Sequence, residues 1–176
     1  MLKLTKKADY GLIALRHLTM TASRSRSIAS GSASPRTSAS AKDIADAYGI
    51  PLPLLSKVLQ KLARGGLLTS EQGTHGGYRL ARAARDISTL EVIRTIDGPI
   101  ILTQCFTEHT GCDHTALCPV REPLRKVHEG ILRLLANISL SDLASDEMAI
   151  PGIRPALANI QMKDPASAAT PAGISR

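Results

Sequence analysis

Ser40-Ala-Lys-Asp-Ile-Ala-Asp-Ala-Tyr-Gly49, Ile50-Pro-Leu-Pro-Leu-Leu-Ser-Lys-Val-Leu-Gln-Lys-Leu-Ala-Arg-Gly-Gly66 and Leu67-Leu-Thr-Ser-Glu-Gln-Gly-Thr-His-Gly-Gly-Tyr-Arg-Leu-Ala81 follow one another without a gap. Ser40 and Asp43 form a capping-box pattern, which opens a short helix that Gly49 ends. Pro51 and Pro53 stand where a second helix can start without losing backbone donors. Within that helix Leu55, Val58, Leu59 and Leu62 recur at i, i+3, i+4 and i+7, and Ser56, Lys57, Gln60, Lys61 and Arg64 cover the other face. Leu67–Ser70 and Tyr78–Ala81 read as strands joined by the glycine-rich reversal 72–77. Two short helices with a tight turn, then a hairpin, make a winged helix-turn-helix. The hairpin tip is not a phosphate-binding loop, because no helix and no Gly-Lys-Ser/Thr ending follow it.

Outward from this centre, residues 5–22 predict a leading helix, with Thr5 as cap and Ala8, Leu12, Leu15 and Leu18 on one face. The Ser/Ala/Arg-rich stretch 23–40 has little to bury and is expected to be a flexible insertion. Ser88-Thr-Leu-Glu91 is a second capping-box pattern, opening a helix that Gly98-Pro99 ends. From Pro119 a longer helix carries Val120, Leu124, Val127, Ile131, Leu134 and Ile138 in alternating steps of four and three, a seam suited to dimerisation. The resulting division is a winged helix-turn-helix domain over 1–98, a cysteine loop over 99–118, a dimerisation helix and turn over 119–147, and a disordered tail over 148–176. The fold class is mainly α with a small β-hairpin.

Charge supports the same layout. The chain of 176 residues carries a net +7, and residues 1–98 account for +8 of it while 99–148 carry −3. A basic front half fits a polyanion partner such as double-stranded DNA. No signal peptide or membrane-length apolar run is read, so a cytoplasmic protein is expected.

All three cysteines, Cys105, Cys112 and Cys118, lie within fourteen residues. An odd number cannot pair off within one chain, and clustered thiolates select zinc, copper(I) or iron–sulfur centres. The C-x6-C-x5-C spacing lacks the paired knuckles of an ordinary zinc site. Small buried hydrophobes are the plain alternative, but the surrounding loop is polar. No Rossmann glycine pattern, C-x-x-C or nucleophile–base constellation is present, so an enzyme is not expected.

The stretches Leu4–Gly11, Ile44–Pro51, Leu54–Leu62 and Gly73–Ala81, with the clustered cysteines and the long helix, resemble the Rrf2 family of winged-helix regulators. That family includes the Isc and Suf iron–sulfur assembly regulators and nitric-oxide-sensing repressors. The resemblance spans about residues 2–145 and leaves out 23–40 and the tail. It implies a homodimer on a palindromic operator, with Cys105, Cys112 and Cys118 holding a [2Fe-2S] or [4Fe-4S] cluster. Isc-type members place a fourth ligand, histidine, three residues after the last cysteine, where this chain has Arg121. Asp9, matching a partner-donated aspartate in the nitric-oxide sensors, is the first candidate instead. His109 and His114 are its rivals.

The resemblance also places Pro53, Ser56, Lys57, Gln60 and Lys61 at the bases, and Gln72, Thr74 and His75 at the wing tip. Lys57 can donate to guanine and Gln60 can pair with adenine, while Lys61, Arg64 and Arg79 hold phosphates. Control of iron–sulfur assembly genes is the expected role, with assembly proteins as cluster donors. A nitric-oxide or redox-responsive repressor, or a zinc or thiol-switch regulator, is the alternative.

Overall fold

The computed structural model describes residues 4–28, 37–72, 76–103 and 117–145. Among these described residues, six helices and one hairpin follow in the order α1 (Lys6–Ile28), α2 (Ala41–Tyr48), α3 (Leu52–Arg64), β1 (Leu68–Glu71), β2 (Gly77–Leu80), a 3-10 turn (Ala84–Asp86), α4 (Thr89–Asp97), α5 (Arg121–Asn137) and α6 (Leu140–Ala144). The mainly helical class with a small hairpin is as the sequence predicts.

Local chemistry sets the element ends. Thr5 Oγ1 accepts from Ala8 N at 3.2 Å, so it does cap α1. The Ser40 box is reciprocal: Ser40 Oγ accepts from Asp43 N and the Asp43 carboxylate accepts from Ser40 N, both at 3.1 Å. Gly49 closes α2 at φ 63°, a left-handed conformation that glycine adopts without penalty. The second box is only half formed. Ser88 caps Glu91 N, but the Glu91 side chain turns away to pair with Arg82.

α1 packs against α3, α4 and α6. Leu15 and Leu18 of α1, Ile44 of α2, Leu55, Leu59 and Leu62 of α3, Leu67, Ile87 and Val92 are fully buried around that contact. β1 and β2 pair antiparallel with Leu68 opposite Leu80 and Glu71 opposite Gly77. Ala39 adds a short third rung, exchanging backbone hydrogen bonds with Tyr78 at 3.1 and 2.9 Å. A Cβ on Gly77 would lie 2.5 Å from Ala39 O, so this close approach needs glycine.

Three placements differ from the sequence reading. α1 continues to Ile28, so residues 23–28 are helical rather than part of the expected flexible insertion. Their Ser/Arg composition has neutral helix propensity, and extending an existing helix costs far less than starting one. Ile138 leaves the proposed seam. It sits beyond the end of α5, is buried at 8% exposure, and its carbonyl accepts from both Thr89 N and Thr89 Oγ1 at 2.8 and 2.9 Å. Finally, α6 closes back on the front of the chain: Leu140 is fully buried in the common core, and Arg16 Nε donates to Leu143 O at 2.9 Å. The core therefore does not end at residue 98. The sequence reading passed over α6 as a turn, although Ser139 and Asp142 form a complete capping box there.

Candidate nucleic-acid interface and thiolate loop

α3 is built with two opposed faces. Leu55, Val58, Leu59 and Leu62 are buried, while Pro53, Lys57, Gln60 and Arg64 form an exposed stripe along the opposite side. Ser56 is half-buried at its edge. Residues at i, i+4, i+7 and i+11 share one helix face, so these four present polar and basic chemistry in one line. A helix of this length with such a stripe fits the width of a DNA major groove.

Lys61 behaves differently from the phosphate contact expected of it. Its Nζ donates to Ile96 O at 2.7 Å, at the end of α4. The C-terminal carbonyls of a helix carry partial negative charge, so the ammonium is held there by a charge-assisted bond. Lys61 thus fastens the recognition helix to α4. One residue on, the Asp97 carboxylate accepts from Thr5 Oγ1 at 2.8 and 2.9 Å. Residues 96–98 accordingly hold the end of α3, the start of α1 and the exit toward the cysteine segment in one joint.

Arg79 projects from β2 and pairs with Glu71 across the hairpin at 2.6 Å. It is exposed and retains other guanidinium donors for a phosphate. Gln72 is the last described residue before the wing tip; Thr74 and His75 lie outside the described residues.

Of the thiolate set, Cys118 is described: a free, half-buried thiol just before α5, whose carbonyl accepts from Arg121 N at 3.4 Å. Cys105, Cys112, His109 and His114 lie outside the described residues. Asp9 is exposed in the first turn of α1. Among the described residues no three potential metal ligands converge.

α5 is a 17-residue helix without a single buried residue. Val120 and Val127 are more than half exposed, and Leu124, Ile131 and Leu134 are half-buried. Among the described residues this apolar stripe on an otherwise charged helix stays partly open. Beside it, Leu4, Ile93, Ile101, Ile131, Leu134 and Leu135 line an apolar cleft of about 360 Å³.

The Rrf2 family pattern, described as an iron-dependent transcriptional regulator, matches residues 4–146. The chain belongs to the Rrf2 family. It is 31% identical over 150 residues to the protein rrf2 of Nitratidesulfovibrio vulgaris, covering 85% of this chain and 92% of the relative. It is 32% identical over 145 residues to an rrf2-like HTH-type transcriptional regulator of Rhodobacter capsulatus, covering 80% and 91%. Among solved structures it is similar to CymR, the global cysteine regulator of B. subtilis, with TM-score 0.64, 25% identity and coverage of 82% and 97%. It is also similar to T. potens IscR, with TM-score 0.58, 27% identity and coverage of 81% and 85%. This Rrf2 protein is a DNA-binding transcriptional regulator and not an enzyme. No helix among the described residues is long and apolar enough to cross a membrane.

Proposed function

We propose that this Rrf2 regulator is a homodimer that binds a palindromic operator and reports iron–sulfur status through Cys105, Cys112 and Cys118, with assembly proteins as cluster donors. The observation that carries the reading is the position of Cys118, a free half-buried thiol directly before a helix that, among the described residues, packs on α4 and leaves its apolar face partly open. Three clustered thiolates in one short segment suit an iron–sulfur centre by donor chemistry. Asp9, exposed at the head of α1, supplies the fourth ligand from the partner, in place of the histidine that this chain replaces with Arg121. A bound cluster would tie the cysteine segment to the partner's first helix.

The residues of this chain then convey the state. The cysteine segment follows directly from the 96–98 joint, where Lys61 holds the recognition helix and Thr5 holds α1. Tension on Gly98–Pro99 therefore changes the angle at which Lys57, Gln60 and Arg64 meet DNA. Because loop ligation and operator binding draw on one geometry, each alters the affinity of the other by the same factor. We assign the regulated genes to iron–sulfur assembly.

Anaerobic purification with absorption spectroscopy and quantification of iron, sulfide and zinc on one sample tests this reading. Visible charge-transfer bands with matched iron and sulfide are expected, abolished in Cys112→Ala and weakened in Asp9→Ala. Stoichiometric zinc, or no metal after reconstitution, would remove the cluster and leave a thiol-switch regulator. The likeness to a cysteine regulator makes that second reading the one to exclude.

A further inference from the structure

At the root of the wing, the last turns of α1, strand β2, the 3-10 turn and α6 enclose an open cleft of about 630 Å³. Three arginines line it, Arg79, Arg82 and Arg85, together with the hydroxyl-bearing Thr19, Ser23 and Ser141, and its described lining contains no acidic side chain. The rest of the wall is largely alanine, which leaves room for an occupant. Volumes of 300–1,000 Å³ are typical of sites for small ligands.

The arginines have donors to spare. Arg79 uses Nε toward Glu71, and Arg82 directs one terminal nitrogen to Glu91 and the other, at 3.4 Å, to Asp86 O. Arg85 is 82% exposed, with Asp86 at a loose 3.8 Å. Each guanidinium carries five N–H groups in a planar fork that matches a carboxylate or phosphate.

The cleft is distinct from the exposed stripe of α3, and Arg79 is the residue it shares with the expected DNA contacts. The cleft lies toward the end of the hairpin where Leu68 faces Leu80, away from the tip beyond Glu71 and Gly77. None of the exposed α3 residues lines it.

We propose that this cleft binds a small oxyanionic effector, a molecule bearing carboxylate or phosphate groups, that sets the posture of the wing. The oxyanion engages Arg82 and Arg85 and competes with Glu71 for Arg79. Ser23 and Ser141 donate from α1 and α6, while the Thr19 hydroxyl is held by Leu15 O at 2.8 Å. Bound in this way, the effector ties β2 to the two helices, and its binding free energy appears as a changed operator affinity.

The test is isothermal titration of the full-length, nuclease-treated protein with citrate and, separately, inorganic phosphate at constant ionic strength. Saturable binding of one probe per chain is expected, weakened about tenfold or more in Arg82→Gln/Arg85→Gln and unchanged in Lys57→Gln. Which probe binds identifies carboxylate or phosphate chemistry. If the double variant is unfolded by circular dichroism, Arg82→Lys/Arg85→Lys keeps the charge but loses the fork, and weaker binding is expected there too. Failure of both probes to saturate by about 10 mM overturns the proposal, as does equal weakening in Lys57→Gln. A gel shift in ligand-free buffer completes it. If the double variant by itself loses operator binding about tenfold, the arginines are DNA phosphate contacts and the effector site is rejected.

Discussion

Lys61 Nζ and Ile96 O stand 2.7 Å apart, joining the last turn of the recognition helix to the last turn of α4. The bond spends a cation that the sequence alone would assign to DNA, and it makes α4 the base on which α3 is aimed.

Replacing Lys61 by Met keeps the alkyl stem and removes the donor. A hydrogen bond from a charged group contributes about 1.5–3 kcal/mol when shielded, and the exposure of Lys61 lowers this to roughly 1 kcal/mol. Urea denaturation should show a loss of that size. Operator affinity should fall with little change in its salt dependence, in contrast to loss of a phosphate contact.

Lys57 provides that contrast. It lies mid-stripe on α3, exposed beside Pro53, Gln60 and Arg64. In Lys57→Ala, operator binding should weaken by about 1–3 kcal/mol if the ammonium reads guanine, with discrimination relaxed at one base pair. Uniform weakening on all sequences, with a salt slope lower by about one, would reassign it to a phosphate. Fluorescence anisotropy across salt concentrations distinguishes the two.

The apolar face of α5 makes a third prediction. Val127→Asp places a carboxylate at a position more than half exposed in the single chain, so the isolated fold should tolerate it. If the seam is the dimer contact, light scattering should find a monomer. A dimer of wild-type stability would exclude α5 as the interface.

His17 confers a pH dependence. Its Nδ1 lies 3.3 Å from the Tyr48 hydroxyl, and the two rings meet edge-on at 5.6 Å between centroids. Burial holds the imidazole below its ordinary value of 6.5, with Arg24 adding to the effect and Asp43 opposing it. The folded state thus binds the proton less well than the unfolded state. Stability should be full above about 6.5, decline as the pH falls through that value, and level off below the folded-state value. Melting temperatures between pH 5 and 8 should show this slope, and His17→Gln should flatten it.

How much of this was legible follows from range. Ser40 with Asp43, Gly49, and the spacing of Leu55, Val58, Leu59 and Leu62 are local signals, and each element they predict is present. Ile138 continued the α5 periodicity flawlessly, yet a carbonyl bond to Thr89, 49 residues away, withdraws it from the seam. Periodicity reports a face and not what covers it. The bond of Lys61 to Ile96 O went unread for the same reason, since nothing near Lys61 in sequence announces Ile96. Glu91 is a third case, because its capping role was lost to Arg82 across a turn. The thiolate set stays a reading of the cysteine count: Cys118 sits where the long helix begins, and Cys105 and Cys112 lie outside the described residues.

The buried place of Leu140, with Arg16 bonded to Leu143, has a consequence for the protein's synthesis. The ribosome delivers the DNA-reading elements first, but their core lacks its final side of packing until α6 has emerged. By then the cysteine segment and α5 have been made. A chain cut short after the wing would be left with exposed leucines on α1 and would be a substrate for proteases. Translation order thus guards against a reading head at large without its cysteine segment.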